Sequence, residues 1–301
     1  MSAKAAIAES ALTLPRGRLS DYFELTKPRV VLMVLVTTLA GFYLGGRSGF
    51  DLTLALNLLA GTALAAGGTL ALNEYVERDI DAIMDRTRHR PLPDMRMRPA
   101  EALTFGIVAT AAGLIYLALA TNLFCTAVTA AISIVYLGVY TPLKRYTWMC
   151  NIVGAIPGAL PPIAGWAAAR GGPSWEPILL FAIMFLWQLP HTLAVARLYR
   201  TDYARAGIHL LPKDNARGGN ASNPIVIAGS LGLIAVGIIP TMLGFAGTPY
   251  TIIASALGVG MLGFGLAMVR SPGDTKAARR LLLASIVYLP IVLLVLVLDR
   301  I

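Results

Sequence analysis

The stretch LTLALNLLAGTALAAGGTLALNEYVERDIDAIMD, residues 52–85, decides the fold of this chain. Its first part, Leu52–Leu72, contains no charged residue and is long enough to cross the hydrocarbon core of a bilayer as an α-helix. Its second part, residues 73–85, is rich in polar and charged side chains. The stretch therefore predicts a membrane-spanning helix with charged side chains at one end.

Four polar residues in this stretch recur at every fourth position: Asn73, Glu77, Asp81 and Asp85. On an α-helix, residues four apart have Cβ atoms roughly 5–6 Å from each other, so these side chains share one slowly rotating face. Three like charges this close repel one another, and in a medium of low dielectric constant a cation must offset that repulsion. Oxygen donors favour hard ions, and Mg²⁺ usually combines one or two carboxylates with waters and phosphate oxygens. The spacing thus predicts a site for a metal-bridged phosphate or diphosphate.

A simpler interpretation of the same residues is a set of carboxylates at a helix end, paired with Arg78, Arg86 and other nearby basic residues. Ionisable groups inside a membrane are usually functional, which favours the metal site. Asp85 lies about 120° around the helix from Asn73. Its side chain faces either the metal or water.

The composition predicts that the rest of the chain is embedded in lipid as well. Of 301 residues, 56% are hydrophobic and 14% charged, with a mean hydropathy of +0.69. This is far too apolar for a soluble globule of the same size. We expect an all-α polytopic protein, a single membrane domain over residues 1–301, with nine spans in one bundle. The predicted spans are Val30–Gly46, Leu52–Leu72, Ala100–Ala120, Leu123–Tyr140, Cys150–Ala169, Ile178–Leu198, Ile225–Leu243, Ile252–Val269 and Leu281–Leu298.

The basic residues predict the orientation of these spans. Twenty-two of the 25 Lys and Arg residues lie in the N-terminal segment and in the loops after spans two, four, six and eight. Cytoplasmic loops collect such residues, so the N-terminus is predicted to be cytoplasmic and the C-terminus periplasmic. The net charge of +9 is then an orientation signal, and no nucleic-acid partner is needed to explain it. Residues 1–27 have no apolar core typical of a secretory signal, and we expect a bacterial inner membrane.

Two of the cytoplasmic loops contain most of the candidate chemistry. They run from Asn73 to Arg98 and from Arg197 to Gly219, at the ends of spans two and six, and can meet over one cavity. Acidic metal ligands combined with Arg and Lys are what ionisation of an allylic diphosphate requires, because both neutralise the departing pyrophosphate. An alternative role for each basic residue is orientation alone. The candidate diphosphate-binding residues are Arg86, Arg88, Arg90, Lys144, Arg145, Asp202 and Lys213.

Several long motifs resemble one known family. They are Asn73-x₃-Glu77-x₃-Asp81 followed by DRTRHRPLP, YTPLKR at 140–145, NIVGAIPGALPPIAGW at 151–166, and WQLPHTLAVARLYRTDYARAGIHLLP at 187–212. In this order they closely resemble the protohaem IX farnesyltransferases, or haem O synthases, of the UbiA-type intramembrane prenyltransferase superfamily. The resemblance covers nearly the whole chain, from about residue 26 to the last span.

The resemblance implies a substrate pair that spacing alone does not reveal. Members of the family transfer the farnesyl group of farnesyl diphosphate to a vinyl group of haem B, with Mg²⁺ as cofactor. Water supplies a hydroxyl group, and haem O and pyrophosphate are released. A downstream haem A synthase is a further partner that the resemblance leaves open.

The second loop departs from the broad superfamily pattern. It lacks a plain Asp-x₃-Asp pair, since Tyr199 and Tyr203 occupy the corresponding positions and Asp202 is displaced by one residue. This version resembles the haem branch and makes a second full Mg²⁺ site doubtful. Asp202 either contributes one ligand or only holds an arginine.

His191 is a candidate for binding haem. It follows Pro190 within the sixth predicted span and is the only histidine of the chain inside a span. Imidazole is a common axial ligand of haem iron, so a haem-binding or haem-positioning role is our hypothesis. A buried histidine bonded to the carbonyl that Pro190 frees is about equally consistent with the sequence.

Two other functions remain open from sequence. The prenyl acceptor could be a phenolic ring or quinone precursor, as elsewhere in the superfamily. The chain could instead be an ion-coupled carrier, but carriers place charges near the midplane within inverted repeats, whereas the charges here concentrate at one face.

Overall fold

A computed structural model describes residues 17–46, 49–212 and 222–301 of the chain. Those residues form a bundle of α-helices with no β-sheet beyond one isolated bridge between Ala246 and Arg300. The helices are α1 Arg18–Leu25, α2 Pro28–Gly45, α3 Leu52–Asp81, α4 Pro99–Ala120, α5 Leu123–Leu143, α6 Cys150–Arg170, α7 Pro177–Leu198, α8 Arg200–Arg205, α9 Asn223–Met242, α10 Thr248–Arg270 and α11 Thr275–Leu298.

The predicted number of spans is confirmed. Within the described ranges, nine helices, α2–α7 and α9–α11, are long and apolar enough to cross a membrane. Several helix ends differ from the predicted span ends, because hydropathy marks only the apolar part of a helix that continues into polar surroundings. The largest difference is in α3, which runs on past Leu72 to Asp81 without a break. Asn73, Glu77 and Asp81 are therefore on one continuous helix, as their spacing predicted.

Two spans contain irregular turns. The backbone of α5 widens into a π-helix over Val135–Tyr140, where Thr141 donates its hydroxyl proton to the Tyr136 carbonyl at 2.8 Å. Such π-turns are rare and often occur at functional sites. Helix α6 is interrupted at Leu160, just before Pro161, because proline has no N–H to continue the hydrogen-bonding ladder. Both irregularities lie beside the cavity described below.

Glycines allow two of the spans to approach closely. A Cβ atom at Gly41 of α2 would lie 2.0 Å from the Pro162 carbonyl oxygen, and one at Gly165 of α6 would lie 1.9 Å from the Thr38 carbonyl oxygen. Small residues allow this backbone contact, which is a common way for membrane helices to associate. The α2 and α6 backbones therefore meet tightly at the level of Thr38.

One end of the bundle carries most of its charged side chains. At this end α2, α4 and α6 begin and α3, α5 and α7 end, and we call it the basic face. The sides of the bundle instead expose large apolar residues, including Leu56, Ile107, Ile115, Val259 and Leu294. Exposed apolar side chains around the spans suit contact with lipid.

Candidate active site

An apolar cavity of about 540 Å³ lies within the bundle, a volume within the usual range for ligand pockets. Residues from α2, α3, α5, α6, α7 and α11 line it, and Arg29 marks its end at the basic face. Val30, Met33 and Ile286 also line the cavity and are exposed on the outer surface of the bundle. The cavity is therefore open sideways between α2 and α11, towards the region where lipid would lie.

The acidic stripe of α3 is buried beyond the basic-face end of this cavity, starting one helical turn after the last lining residues of α3. Asn73 and Asp81 are each 1% exposed and Glu77 is 8% exposed. The Asn73 amide donates to Glu77 Oε2 at 3.0 Å and to Thr141 Oγ1 at 3.1 Å, which joins α3 to the end of α5. Thr69, one turn before Asn73, lines the cavity itself. The stripe thus begins where the apolar slot ends.

Three cationic side chains bind the stripe, one at each position. Lys27 Nζ donates to Asn73 Oδ1 at 2.8 Å, and Lys144 Nζ donates to Glu77 Oε1 at 2.9 Å. Arg90 donates to Asp81 Oδ2 at 2.6 Å. The stripe is thus paired with cations, as the alternative drawn from sequence expected, but neither Arg78 nor Arg86 is among these three. Arg78 instead donates to the Tyr75 carbonyl.

The cations respond differently to burial in this cluster. Burial and the neighbouring Arg90 charge lower the pKa of Lys27 to about 8, against the opposite effect of the nearby carboxylates. For Arg90, burial would also lower the pKa, but the carboxylates of Asp81 and Glu74 outweigh it and raise the pKa above its ordinary value. Contacts with Tyr140 and Glu77 likewise outweigh burial and raise the pKa of Lys144. Arg90 and Lys144 therefore keep their protons and their charge, and Lys27 is the cation that loses its proton most readily.

Lys27 and Glu74 belong to this cluster, and sequence reasoning assigned neither to the site. Glu74 is 1% exposed, lies 3.9 Å from Lys27 Nζ and 3.5 Å from Arg90 Nε, and has one oxygen with no hydrogen-bond partner. Lys27 reaches α3 because its backbone adopts a left-handed conformation, with φ of 51°, between α1 and α2. The Lys27-Pro28 sequence, part of the resembling region at residues 26–29, was the available signal for Lys27.

The donor set of the stripe suits a hard cation. Asn73, Glu77 and Asp81 offer an amide oxygen and two carboxylates, the ligand types that Mg²⁺ takes. In the described ranges no group of three or more His, Cys, Asp and Glu side chains is arranged to hold a metal. Glu77 Oε1 and Asp81 Oδ2 each accept from a cation, and Glu77 Oε2 accepts from the Asn73 amide. All three cations are on flexible side chains. These side chains can move away from the stripe. The cluster therefore suits a site in which a metal ion and a phosphate replace the internal contacts.

Three other candidate residues lie away from the cluster. The helix ends at Asp81, so Asp85 leaves the stripe; its side chain is 55% exposed and binds Arg205 at 2.6 Å. That hydrogen bond lowers the pKa of the Asp85 carboxyl. Arg88 is equally exposed beside Asp85, and the Arg145 side chain is exposed as well. The structure does not bring these three to the cavity, and Lys213 lies outside the described residues.

The second loop forms a separate connection to the first. Arg205 bridges Asp85 and Asp202, which ties α8 to the segment after α3. Next to this bridge, Arg86 donates to the Tyr203 hydroxyl at 3.0 Å and lies 5.2 Å and 5.6 Å from the ring centres of Tyr199 and Tyr203. The tyrosines that replace a second acidic motif therefore hold an arginine by cation–π contact. In this structure Asp202 holds an arginine, one of the two roles that the sequence allowed.

His191 lines the cavity on the side opposite α3. Its ring stacks on Trp187 with centroids 4.7 Å apart, and its Nδ1 lies 2.8 Å from Ser285 Oγ. Ser285 already donates its proton to the Leu282 carbonyl at 2.6 Å, so the hydroxyl accepts from His191. Nδ1 is therefore the protonated nitrogen and Nε2 carries the lone pair. The alternative drawn from sequence paired His191 with the carbonyl that Pro190 frees. In the structure the partner of Nδ1 is Ser285 of α11.

The fold and site together define a class: a polytopic helical membrane enzyme with an apolar slot that opens beside oxygen donors and cations. The chain belongs to the UbiA prenyltransferase family, whose sequence profile matches residues 34–287.

Individual relatives agree with this assignment. Proteins named protoheme IX farnesyltransferase from Solibacter usitatus and Myxococcus xanthus are 42% and 41% identical to this chain. The matches cover 93% and 94% of this chain, and 98% and 95% of the relatives.

Among solved structures, one from a study of digeranylgeranylglyceryl phosphate synthase has a TM-score of 0.76 at 15% identity, covering 93% of this chain and 98% of that one. A UbiA homologue from Archaeoglobus fulgidus bound to GPP and Mg²⁺ has a TM-score of 0.65 at 18% identity, with 92% and 99% covered. The two structures support the fold.

Proposed function

We propose that this chain transfers the farnesyl group of farnesyl diphosphate to a vinyl group of haem B, with addition of water, and releases haem O and pyrophosphate. The observation that carries the proposal is the buried stripe of oxygen donors and cations beyond the basic-face end of a long apolar cavity. Relatives that share about two-fifths of the sequence over nearly the full length are named for this activity.

The diphosphate binds at the stripe. Lys27, Arg90 and Lys144 turn from their partners on the stripe to the phosphate oxygens, where charge-assisted hydrogen bonds are strong. Asn73, Glu77 and Asp81 are then free to hold Mg²⁺, which when bound neutralises phosphate charge and favours departure of pyrophosphate. The A. fulgidus homologue, bound to GPP and Mg²⁺, supports this assignment. Arg86 lies over Tyr199 and Tyr203, which pack in one core cluster with the cavity-lining Tyr140.

The π-turn of α5 places two aromatic rings next to the expected reacting carbon. Tyr136 and Tyr140 have ring centroids 5.3 Å apart, both line the cavity, and Lys144 Nζ lies 4.4 Å from the Tyr140 ring centre. Aromatic faces stabilise positive charge, so the two rings protect the allylic cation that forms as pyrophosphate leaves. The apolar walls exclude water from that cation until the vinyl group attacks. No covalent intermediate with the protein is required.

Haem occupies the α7 and α11 side of the cavity. His191 presents Nε2 with its lone pair, because Ser285 takes the proton of Nδ1. Nε2 is the nitrogen that most often binds haem iron, so His191 is the proposed axial or positioning ligand. Val30, Met33 and Ile286 mark a sideways entrance through which an apolar substrate can arrive from lipid.

The proposed location is a bacterial inner membrane with the basic face towards the cytoplasm. The excess of Lys and Arg at that face supports the orientation. Farnesyl diphosphate would then reach the stripe from the cytoplasm. Haem O would leave for its use in the membrane, where a haem A synthase is the candidate next partner.

The test is to reconstitute the purified full-length chain with haem B, farnesyl diphosphate and Mg²⁺ and to search for haem O by mass. Formation of haem O that depends on Mg²⁺ is the expected result. A phenolic quinone precursor is offered in a parallel reaction as the competing acceptor. Farnesylation of that acceptor, with haem B unchanged, would overturn the proposal.

For the haem site, His191→Ala is compared with Trp175→Ala, which changes an exposed aromatic residue outside the cavity. We expect only the His191 variant to alter the Soret band and to weaken haem binding. An unaltered spectrum in the His191 variant would remove this residue from the haem site.

A further inference from the structure

We propose that the far end of the cavity, a floor formed by Thr38 and Thr62 above Phe42 and Leu58, sets the length of the prenyl chain that the protein accepts. This inference rests on the proposed function, which places the diphosphate at the α3 stripe. It adds residues that select among prenyl diphosphates. The evidence is the depth of the slot, the residues that close it and two hydroxyl groups at its end.

The depth follows from helix geometry. With the diphosphate at Asn73, the tail must run into the cavity along α3, past Thr69 and Ala66 to Thr62. Thr62 lies eleven residues before Asn73 on this continuous helix, which corresponds to about 16 Å along its axis. That distance is close to the extended length of a tail of three isoprene units. A tail of four units that stays along α3, and does not leave through the sideways opening between α2 and α11, would meet the floor.

The floor is closed by packed apolar side chains. Phe42 lies one turn beyond Thr38 on α2, and Leu58 lies one turn beyond Thr62 on α3, each on the same helix face as its threonine. Phe42 is 4% exposed and Leu58 is fully buried, and neither lines the cavity. Both belong to one core cluster with Leu117, Cys125 and Ala164, and Ala164 also borders the cavity. The cluster therefore forms a plug directly beneath the floor.

The α2 and α6 backbones close the same level from the side. Gly41 packs against the Pro162 backbone, and Gly165 packs against the Thr38 backbone, at the depth of the floor. Packed helices with glycine contacts do not separate easily to admit a longer chain. The end of the slot is thus a rigid boundary.

Two hydroxyl groups make this boundary polar. Thr38 Oγ1 and Thr62 Oγ1 both belong to cavity-lining residues that are nine-tenths or more buried, and neither has a hydrogen-bond partner in the described part of the chain. Other buried threonines nearby, such as Thr69, donate to carbonyl groups of their own helix. An apolar tail that covers such a hydroxyl group cannot form a hydrogen bond with it, and leaving the hydroxyl group unpaired costs free energy. The floor therefore opposes a fourth isoprene unit both sterically and chemically.

The test measures length selection with geranyl, farnesyl and geranylgeranyl diphosphates offered together with haem B and Mg²⁺. The products differ in mass by one isoprene unit. Leu58→Ala and Phe42→Ala lengthen the slot by about one helical turn. We expect each to raise the ratio of geranylgeranyl to farnesyl product by roughly tenfold to a hundredfold, the selectivity that apolar groups of this size usually provide. Thr62→Leu shortens the slot and should shift the preference towards geranyl diphosphate.

Leu233→Ala is the matched control, since Leu233 of α9 is also fully buried but lies outside the cavity. It should leave the ratio unchanged. If Leu58→Ala, Phe42→Ala and Thr62→Leu all retain the wild-type ratio while making product, the floor does not select length and the inference is overturned.

A second measurement separates this inference from the proposed function. Thiolodiphosphate analogues of the three chain lengths are tested for their ability to raise the melting temperature of the same variants without haem. Length-selective stabilisation that shifts in the floor variants supports the floor even if no haem product forms. Haem O formation with stabilisation that is equal for all lengths in every variant supports the function and overturns the floor.

Discussion

The two charged regions at the basic face differ in what surrounds their carboxylates. At the end of α3, Glu77 and Asp81 are buried, and each bonds one cation from another segment of the chain. At α8, Asp202 is buried as well, but it shares the half-exposed Arg205 with the exposed Asp85. A buried carboxylate with a single flexible partner can exchange that partner for a ligand. The carboxylate is already removed from water in the folded protein, so ligand binding adds little further desolvation cost. A bridge at the surface mainly connects two segments.

The largest effect is expected for the double substitution Glu77→Gln with Asp81→Asn in the α3 region. We expect turnover to fall by about a thousandfold or more, since both removed carboxylates are proposed to act on the departing charge. Haem product and its Mg²⁺ dependence are measured, with thermal melting in detergent as a check on folding. Asp79→Asn on the same helix is the control, because its side chain is 82% exposed and outside the stripe. Intact turnover and metal dependence in the double variant would disprove the metal site.

A smaller effect is expected when only one cation of the α3 region changes. Lys144→Met removes a charged hydrogen bond to Glu77 and, in the proposed complex, to phosphate. Loss of such a bond costs about 1.5–3 kcal/mol, so binding of farnesyl thiolodiphosphate should weaken by roughly tenfold to a hundredfold. Lys144→Arg keeps the charge and should retain most of the affinity. Equal loss in both variants would mean that the side chain acts through its shape and not through its charge.

The sequence was sufficient to predict the α3 region in outline. Hydropathy predicted nine spans, and the four-residue spacing predicted that Asn73, Glu77 and Asp81 share one helix face, because both patterns are local. Whether these residues hold a metal stays a prediction. Asp85 was harder, because a helix end is set by the packing of the following segment, and α3 stops at Asp81.

The partners of the stripe could not be read from local pattern. Lys27 lies 46 residues from Asn73 and Lys144 lies 67 residues from Glu77, so their contacts depend on how α2 and α5 pack against α3. The sequence predicted Lys144 as a diphosphate ligand but not its contact with Glu77, and it did not single out Lys27 for the site. The same holds for Thr38 and Thr62. That their hydroxyl groups lack hydrogen-bond partners among the described residues depends on the packing of the surrounding helices.

The α8 region should tolerate change better than the α3 region. Asp202→Asn removes one carboxylate from the Arg205 bridge and leaves the stripe intact. We expect at most about a tenfold loss of turnover, and no shift in the Mg²⁺ concentration that gives half-maximal activity. Tyr203→Phe, which removes the hydroxyl that Arg86 contacts, serves as a companion variant in the same loop. A strong shift in the Mg²⁺ requirement of the Asp202 variant would place a second metal site at α8 and erase the distinction between the regions.

The smallest effect is expected at Asp85, where the two regions touch. Its carboxyl is exposed and bonds Arg205 and Arg88 at the surface, where ion pairs are weakened by water and salt. Asp85→Asn should change turnover by less than about threefold. The residual effect should shrink further as salt is added, because screening removes the same attraction. Turnover is compared at low and high ionic strength against the wild type. A loss as large as that of the Glu77 and Asp81 double variant, and insensitive to salt, would return Asp85 to the metal-binding stripe and extend that stripe beyond the end of α3.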